Sequence, residues 1–454
     1  MNARSSRPNI LFLFSDQQRW DTCGCYGQPL NVTPNLDRMA RDGVRFERAF
    51  TCQPVCGPAR ACLQTGLWAT ETGCFRNGIA LPPGQRTIAH ELANAGYAVG
   101  YIGKWHLAST RGLAGTPDAN YETRPVPPRR RGGYRDYWLA SDVLEFTSHS
   151  YDGHMFDGRM KRREFPKGRY RVDVLTDWVL EFLRSRRRGR KPFFLFVSYI
   201  EPHHQNDHRR YEGPRGSKTR FKRFVVPGDL AGTGGDWRRE YPDYLGCIHS
   251  LDANVGRIRA ELAALGLADD TVVLYTSDHG SHFCTRNSEY KRSCHDGCVR
   301  VPLLACGPGF AGGRVVRELV SLIDLPPTVL AAGGVRPPRR MRGRPLQPLV
   351  EGRAEGWPGD VFIQISEDHI GRAVRTERWK YEIRVPSREP WSGWRQPGGL
   401  VYQEACLYDL RNDPHERRNL VNVSALKAVR VRLAGLIERR MAEAGEEVPA
   451  ILPA

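Results

Sequence analysis

The sequence lacks any long apolar run, since no stretch of its 454 residues approaches the roughly 20 consecutive apolar residues that a membrane-spanning helix needs. Its first residues, MNARSSRPNI, contain neither the apolar segment nor the cleavage site of a signal peptide. With 40% hydrophobic and 26% charged residues, the composition is that of a globular protein. We therefore expect no membrane partner and a cytoplasmic location, or a periplasmic or secreted one if the natural chain starts earlier.

The sequence also lacks a Cys-x-x-Cys pair, although it contains twelve cysteines. In a long chain without a signal peptide, cysteines are expected to stay reduced, and most of them to serve as small buried hydrophobic residues. Without Cys-x-x-Cys spacing, a zinc site is disfavoured. The closely spaced pairs are Cys23 and Cys25, Cys52 and Cys56, and Cys294 and Cys298.

No recognisable nucleic-acid-binding module accompanies the formal charge of +18, so we expect no nucleic-acid partner. Two interpretations of the charge remain: solvated loops, or loops that steer an anionic substrate. The charge is concentrated in PPRRRGGYR (127–135), RSRRRGRK (184–191), HRRYEGPRGSKTRFKRF (208–224) and PPRRMRGRP (337–345).

Short apolar runs that end in polar residues predict buried strands of a parallel sheet. Helical patterns lie between them, such as TPNLDRMARDG (33–43), where Thr33 is expected to cap the helix and Pro34 to open it. This alternation predicts an α/β fold with a mainly parallel sheet, whose ligands bind at the carboxyl ends of the strands. The runs are NILFLFSD (9–16), YAVGYIGKWHL (97–107), PFFLFVSYI (192–200), TVVLYTSDHG (271–280) and VPLLACGPG (301–309).

From about residue 350 the pattern changes to short strands and a final helix from about Ala425 to Ala444. We therefore predict a larger domain over residues 1–350 and a smaller α+β subdomain over residues 351–454. Residues 108–171 and 202–240 are connections rich in Pro, Gly and Arg, and are long enough to be lids or insertions. The short strands are VFIQISE, RAVRT, RWKYEIR and CLYDL.

Polar clusters follow four of the predicted strands. If these strands end at one edge of a sheet, the clusters form a cation site surrounded by acids, bases and ammonium groups. An enzyme that acts on an anionic ester needs such a site. The clusters are Asp16-Gln17, Lys104-x-His106, Pro202-His203-His204 and Asp278-His279.

The segment CQPVCGPAR contains the motif Cys56-x-Pro58-x-Arg60, which is not specific by itself. It occurs with other segments in the order, and with about the spacing, found in the formylglycine-dependent (type I) sulfatases. The chain resembles that family from Pro8 to about Leu420. The accompanying segments are RPNILFLFSDQQRWD, TPNLDRMARDGVRFERAF, GYIGKWHL, YTSDHG, YKRSCHDGCVRVPLL and LYDLRNDPHERRNL.

The resemblance implies an alkaline-phosphatase-like α/β/α sandwich around a large, mostly parallel mixed sheet, with a smaller C-terminal α+β subdomain. It also implies that a separate formylglycine-generating enzyme oxidises Cys56 to formylglycine. A hydrated aldehyde has two hydroxyls: one attacks sulfur, and the other then reforms the aldehyde and expels sulfate. A plain serine would be left as a stable sulfate ester.

The resemblance assigns a role to each matching residue. Asp16, Gln17, Asp278 and His279 match the metal ligands and imply Ca²⁺. Gln17 and His279 stand where many members have Asp and Asn, so that Gln17 supplies an amide oxygen and His279 a softer nitrogen. Arg60 anchors the hydrate, Lys104 and Lys291 hold sulfate oxygens, and His106, on the same face as Lys104 if the strand continues, is a base. His203 is the acid that protonates the leaving oxygen, with His204 as the alternative, and Asn77 faces the pocket.

The expected activity is hydrolysis of a sulfate monoester, with a sulfated carbohydrate as the first candidate substrate and an aryl or choline sulfate as the second. The tryptophans of SREPWSGWRQPGG (387–399) either stack on a sugar or simply pack. Two alternatives remain. One is a phosphodiester or phosphonate monoester hydrolase of the same fold, which the Lys104-x-His106 pair disfavours; the other is a non-catalytic polyanion-binding protein.

Overall fold

A computed structural model describes residues 7–186, 191–387 and 389–454. Within these residues, twelve strands form one large mixed sheet. They are β1 (Asn9–Ser15), β2 (Val44–Phe50), β3 (Ala98–Lys104), β4 (Tyr137–Ser141), β5 (Ser148–His149), β6 (Asp152–Asp157), β7 (Arg162–Glu164), β8 (Phe193–Ser198), β9 (Thr271–Ser277), β10 (Arg300–Val301), β11 (Leu303–Cys306) and β12 (Arg314–Ser321).

The centre of this sheet is parallel. Its strand order is β10-β2-β11-β9-β1-β8-β3-β4-β6-β5, with β12 paired to β2 and β7 to β6. The five neighbours β9, β1, β8, β3 and β4 all run parallel, whereas β11 and β6 pair antiparallel at either side. The carboxyl ends of the central strands therefore lie at one edge.

Helices cover both faces of the sheet. They are α1 (Pro34–Asp42), α2 (Cys56–Thr65), α3 (Ala69–Thr72), α4 (Ile88–Asn94), α5 (Leu144–Thr147), α6 (Arg171–Arg186), α7 (Ser217–Arg220), α8 (Trp237–Ala264), α9 (Asp296–Val299), α10 (Leu325–Ala332), α11 (Gln347–Val350) and α12 (Lys427–Glu443). Alternate residues of β1 point to opposite faces. Phe12 packs in a core with α2, α4 and α10, and Leu13 packs in a core with α1, α6 and α8. This arrangement confirms the predicted α/β/α sandwich.

Helix α1 begins at Pro34 as predicted, and Thr33 stands at its N-cap position, but the Thr33 side chain makes no capping hydrogen bond. Asp252 of α8 takes that role, because its carboxylate accepts hydrogen bonds from the backbone N–H groups of Asn35 and Leu36 at 3.0 and 2.7 Å. The backbone N–H groups of the first turn, which have no partner within their own helix, are thus hydrogen-bonded to a side chain of a distant helix.

A second, five-stranded sheet follows in the C-terminal part. Its strands pair in sequence order: β13 (Asp360–Ile365), β14 (Gly371–Thr376), β15 (Trp379–Arg384), β16 (Val401–Asp409) and β17 (Ala450–Leu452). Helix α12 packs on it through residues such as Leu433 and Ile437. This is the smaller α+β part that was predicted, while the boundary between residues 350 and 351 stays a prediction.

The first long connection is more regular than predicted. Residues 137–164 of it form β4 to β7 and α5, which extend the large sheet beyond β3. Of the arginine-rich segments, residues 187–190 lie outside the described residues. Among the described residues, no helix has both the length and the apolar character needed to cross a membrane.

Candidate active site

All four predicted polar clusters lie at the same edge of the large sheet. Asp16 directly follows β1, Asp278 directly follows β9, Lys104 ends β3, and His203 lies five residues after the end of β8. Because β9, β1, β8 and β3 are parallel neighbours, their carboxyl ends bring these groups together. The prediction that the four polar clusters meet at one edge of the sheet is therefore confirmed.

Helix α2 carries the cysteine motif into the same place. Cys56 is its first residue, and Arg60 lies one turn later on the same face. Pro58 falls in the first turn, where a backbone N–H has no partner within the helix. The helix N-terminus also contributes partial positive charge near Cys56, which favours a bound anion.

The Cys56 side chain is buried and lies among charged groups. The Nζ atom of Lys291 donates to its Sγ atom at 2.8 Å. The Oδ1 atom of Asp16 lies 3.4 Å from the sulfur, and the Nε2 atom of His279 lies 3.2 Å from it. Burial, and then the charge of Asp16, raise the pKa of the thiol to about 12. Cys56 is therefore a protonated thiol near neutral pH, which is a poor nucleophile.

Asp16 joins two of the three basic residues of the site, Arg60 and Lys104. Its Oδ2 atom accepts from Arg60 Nη2 and pairs with Lys104 Nζ, both at 2.9 Å. Burial alone would raise the pKa of this carboxyl, but Lys104, His203 and Arg60 together hold it well below its usual value. Lys104 also pairs with Glu145 Oε2 at 3.0 Å. Of its three N–H donors, one is left for another ligand.

The carboxylate of Asp278 has different electrostatic surroundings from that of Asp16. Its Oδ1 atom accepts from the backbone N–H groups of Gln17 and His279, both at 2.9 Å. Its Oδ2 atom is buried without a hydrogen-bond partner, although Arg60 Nη2 lies 3.6 Å away. Burial and the neighbouring Asp16 raise the pKa of Asp278. A cation between the two carboxylates would remove this repulsion.

His279 directs the lone pair of its Nε2 atom at this group, where Cys56 Sγ lies 3.2 Å and Lys291 Nζ 3.4 Å from it. Its Nδ1 atom lies 2.8 Å from the carbonyl oxygen of Gly280, which only accepts, so Nδ1 carries the proton. Burial, and then Lys291, lower the pKa of the ring, which keeps the imidazole neutral. The Nε2 lone pair therefore faces Cys56, as a metal-binding histidine requires. Asp16, Cys56, Asp278 and His279 have ligand atoms within 4.8 Å of one another, so the donor set fits a cation.

The other proposed ligand, Gln17, has different side-chain contacts. Its amide Nε2 donates to the hydroxyl of Tyr211, and its Oε1 accepts from the backbone N–H of His204 at 3.3 Å. The amide oxygen keeps a second lone pair, so that a role as ligand stays a prediction.

His106 is close to the site for a reason other than the one predicted. Strand β3 ends at Lys104, and His106 has a φ of +58°, so the strand does not continue through it. The condition under which alternation would place Lys104 and His106 on one face is therefore not met. The backbone N–H of His106 instead donates to the carbonyl of Asp142 at 2.7 Å. Burial, and then Lys104, Arg60 and Lys291, lower the pKa of its ring.

The two neighbouring histidines differ in environment. His203 is buried, and its Nδ1 atom lies 4.0 Å from Glu145 Oε2. Burial and then Lys104 lower the pKa of His203. His204 is half-buried, and its Nδ1 atom lies 3.2 Å from Asn206 Oδ1. This geometry favours His203 as the residue that faces the charged cluster.

Asn77 lies in a turn that contacts the first turn of α2. Its Oδ1 atom accepts from the backbone N–H of Gly57 at 2.9 Å, and its own backbone N–H donates to Glu367 Oε1. Like His106 and His204, it is half-buried. These three residues mark where the buried cluster opens towards solvent.

Sequence reasoning missed Glu145, the acid that contacts Lys104 and lies close to His203. It belongs to the short helix α5, within the connection of residues 108–171 that was expected to be a lid or insertion. It belongs to none of the motifs that carried the resemblance. The only indication in the sequence was the balance of charge. Lys104, Lys291 and Arg60 bring three positive charges into the site, and Asp16 and Asp278 supply only two negative charges to pair with them.

Comparison with known proteins identifies the family. Residues 8–335 match the sulfatase family model, and residues 288–443 match a model described as N-sulphoglucosamine sulphohydrolase, C-terminal. The uncharacterized sulfatase YidJ of Escherichia coli (strain K12) is 30% identical over 450 residues, which cover 92% of this chain and 83% of the relative.

Two further relatives have names that include a substrate. The ulvan-active sulfatase of Formosa agariphila is 26% identical over 455 residues, 97% of this chain and 82% of that one. The N-acetylglucosamine-6-O-sulfatase of Bacteroides thetaiotaomicron is 25% identical over 519 residues, 96% of this chain and 86% of that one.

Solved structures agree on the fold. A sulfatase from Bacteroides fragilis superposes with a TM-score of 0.82 at 24% identity, covering 98% of each chain. The phosphonate monoester hydrolase of Agrobacterium radiobacter superposes with a TM-score of 0.68 at 24% identity, covering 97% of this chain and 96% of that one.

The fold and the site together define an ester hydrolase with the alkaline-phosphatase-like architecture. More particularly, the chain belongs to the sulfatase family, and the predicted enzyme class, a sulfuric ester hydrolase, is confirmed.

Proposed function

We propose that this enzyme removes sulfate from a sulfated saccharide, with a formylglycine made from Cys56 and a bound Ca²⁺. The observation that carries the proposal is the position of the Cys56 side chain, 2.8 Å from Lys291 Nζ and 3.4 Å from Asp16 Oδ1. A buried thiol whose pKa is raised to about 12 is mostly protonated near neutral pH and therefore a weak nucleophile, which supports its role as a precursor. A formylglycine-generating enzyme is the maturation partner that the motif predicts.

Ca²⁺ would be held by Asp16, Gln17, Asp278 and His279. The unpartnered Oδ2 of Asp278 supports this set. When present, the formylglycine hydrate supplies the nucleophilic hydroxyl, and Ca²⁺ supplies positive charge beside the sulfate.

The chain's own residues then bind and orient the substrate. Lys291 and the remaining N–H donor of Lys104 hold sulfate oxygens, and burial makes each charge-assisted hydrogen bond stronger than in water. Arg60 is fixed by hydrogen bonds from Nη1 to the backbone carbonyl of Lys104 and to Ser198 Oγ at 2.9 and 2.7 Å. These bonds, and the one from Nη2 to Asp16, hold the guanidinium in the site, where in this proposal it anchors the hydrate made from Cys56.

Two histidines move protons in this proposal. His203 donates a proton from its imidazole to the leaving oxygen. His106 accepts a proton from the group at position 56, and the lowered pKa of its ring keeps it neutral and able to do so. Asn77 and His204, at the opening of the site, contact the sugar.

A saccharide is proposed because two relatives act on such substrates by name, ulvan and an N-acetylglucosamine 6-O-sulfate. Hydrolysis of a phosphodiester or phosphonate monoester is the second candidate, favoured by the likeness in fold to the Agrobacterium radiobacter enzyme.

The test is a substrate panel. The enzyme is produced together with a formylglycine-generating enzyme and assayed on sulfated mono- and oligosaccharides, nitrophenyl and choline sulfate, a phosphodiester and a phosphonate monoester. We expect the highest kcat/KM on a sulfated sugar. A higher kcat/KM on the phosphodiester or phosphonate would replace the proposal with the second candidate.

A further inference from the structure

A second group of histidine and carboxylate side chains lies at the surface, where the two long connections meet. His149 belongs to β5 in the first connection, and Asp207 and His208 belong to the second. The Nε2 atom of His149 lies 2.8 Å from Asp207 Oδ2, and the Nε2 atom of His208 lies 4.0 Å from the same oxygen. The three side chains offer ligand atoms within 4.8 Å of one another.

The other ring nitrogen of each histidine faces a further carboxylate. The Nδ1 atom of His208 lies 2.7 Å from Glu212 Oε1, and the Nδ1 atom of His149 lies 3.5 Å from Asp152 Oδ1. At His208 the carboxylate at Nδ1 holds the proton there and leaves the lone pair on Nε2, as in metal-binding histidines, whose non-ligating nitrogen donates to a carboxylate. At His149 the shorter contact is the one between Nε2 and Asp207, so Nε2 carries the proton, and a metal ion bound there would replace this proton between the ring and Asp207.

The charge of the group suits a divalent cation. Asp152, Asp207 and Glu212 are three carboxylates, and Arg210, which donates to Glu212 Oε1 at 2.9 Å, is one guanidinium. These three carboxylates and one guanidinium together carry a net charge of −2. Apart from Asp207, these side chains line an open surface cavity of about 500 Å³, which has room for an ion and its waters.

Binding by both histidines requires one ring to turn. The two rings are stacked 4.4 Å apart with their planes 10° from parallel, so their lone pairs do not yet meet at one point. Both side chains are 38% exposed, and rotation of an exposed ring about its last torsion costs little.

We propose that His149, Asp207 and His208 form a second metal site, which takes a divalent transition metal of the Zn²⁺ class. Two imidazoles and one carboxylate are a donor set suited to Zn²⁺, whereas Ca²⁺ and Mg²⁺ prefer oxygen ligands. The ion joins the two connections. Because Asp207 Oδ1 accepts from Gln205 Nε2 at 2.8 Å, it also steadies the segment that carries His203.

The test is calorimetric titration of the enzyme with Zn²⁺ at saturating Ca²⁺. The wild type is compared with the double variant His149→Gln/His208→Gln and with His415→Gln, which removes an exposed histidine elsewhere. We expect the double variant to lose one equivalent of bound Zn²⁺ and His415→Gln to keep it. The wild type and the double variant both contain the site near Cys56, so the difference between their Zn²⁺ stoichiometries reports only the proposed second site. Equal stoichiometry and affinity in the double variant would overturn the proposal.

A second measurement covers the case in which the double variant does not fold, which circular dichroism would show. Asp207→Asn keeps the shape of the side chain and removes its charge, and we expect it to weaken Zn²⁺ binding at least about tenfold. Zn²⁺ should also slow proteolytic cleavage within residues 202–215 of the wild type and not of Asp207→Asn. Unchanged affinity in Asp207→Asn would exclude the site.

Discussion

Replacing His203 by alanine separates acid catalysis from positioning. If His203 protonates the departing oxygen, its importance increases with the basicity of that oxygen. A sugar alkoxide needs the proton, and a nitrophenolate does not. His203→Ala is therefore expected to lose roughly 10²- to 10⁴-fold in kcat/KM on a sulfated sugar, the usual contribution of a general acid, and much less on nitrophenyl sulfate.

The structure also sets the direction of the pH dependence. Burial, and then Lys104, lower the pKa of His203 below its ordinary 6.5, so the ring is protonated only at lower pH. For the wild type, kcat/KM on the sulfated sugar should fall as pH rises through this lowered pKa, and His203→Ala should lack this limb. The matched control is His204→Ala, which changes the half-buried neighbour. Equal losses on both substrates in His203→Ala would refute the acid role, and loss of the pH limb in His204→Ala instead of in His203→Ala would move it by one residue.

Three further predictions concern the metal, the surface charge and the core. Chelation should abolish turnover, and Asp278→Ala should do so while circular dichroism still shows a folded chain; full activity in metal-free protein would rule the site out. If the arginine-rich loops steer substrate, kcat/KM on a multiply sulfated oligosaccharide should fall with salt more steeply than on nitrophenyl sulfate, because exposed charges are screened beyond about 8 Å at physiological ionic strength; equal slopes would favour the solvated-loop interpretation. Phe196 is buried between Phe12 and Tyr101, with ring centroids 4.7 and 5.2 Å away, so Phe196→Ala should lower the free energy of unfolding by about 3–5 kcal/mol in denaturant titration. The same change at Phe146, which is 48% exposed, should cost less than about 1 kcal/mol, and similar costs at both would contradict the packing described.

The central sheet and most of the candidate site were predictable because they depend on local patterns. Apolar runs ending in polar residues gave β1, β3, β8 and β9, and parallel strands necessarily bring such ends together. The Cys56 and Arg60 spacing follows from one helical turn. Each of these inferences needs only a few neighbouring residues.

The missed features depend on contacts between distant segments. Asp252 caps α1 from 217 residues away in sequence, so the local cap signal at Thr33 was misleading. Glu145 meets Lys104 across 41 residues, from a short helix within an arginine-rich connection. The turn after β3 at His106 takes a positive φ, which non-glycine residues rarely adopt and which no pattern around it predicts.

The state of residue 56 tests the central claim most directly. The enzyme is produced with and without a formylglycine-generating enzyme, and the peptide that contains Cys56 is examined by mass spectrometry after trapping aldehydes with a hydrazide. We expect an aldehyde at position 56 only after co-production, with sulfatase activity proportional to the aldehyde fraction. Full activity in protein whose Cys56 remains an unmodified thiol would contradict it.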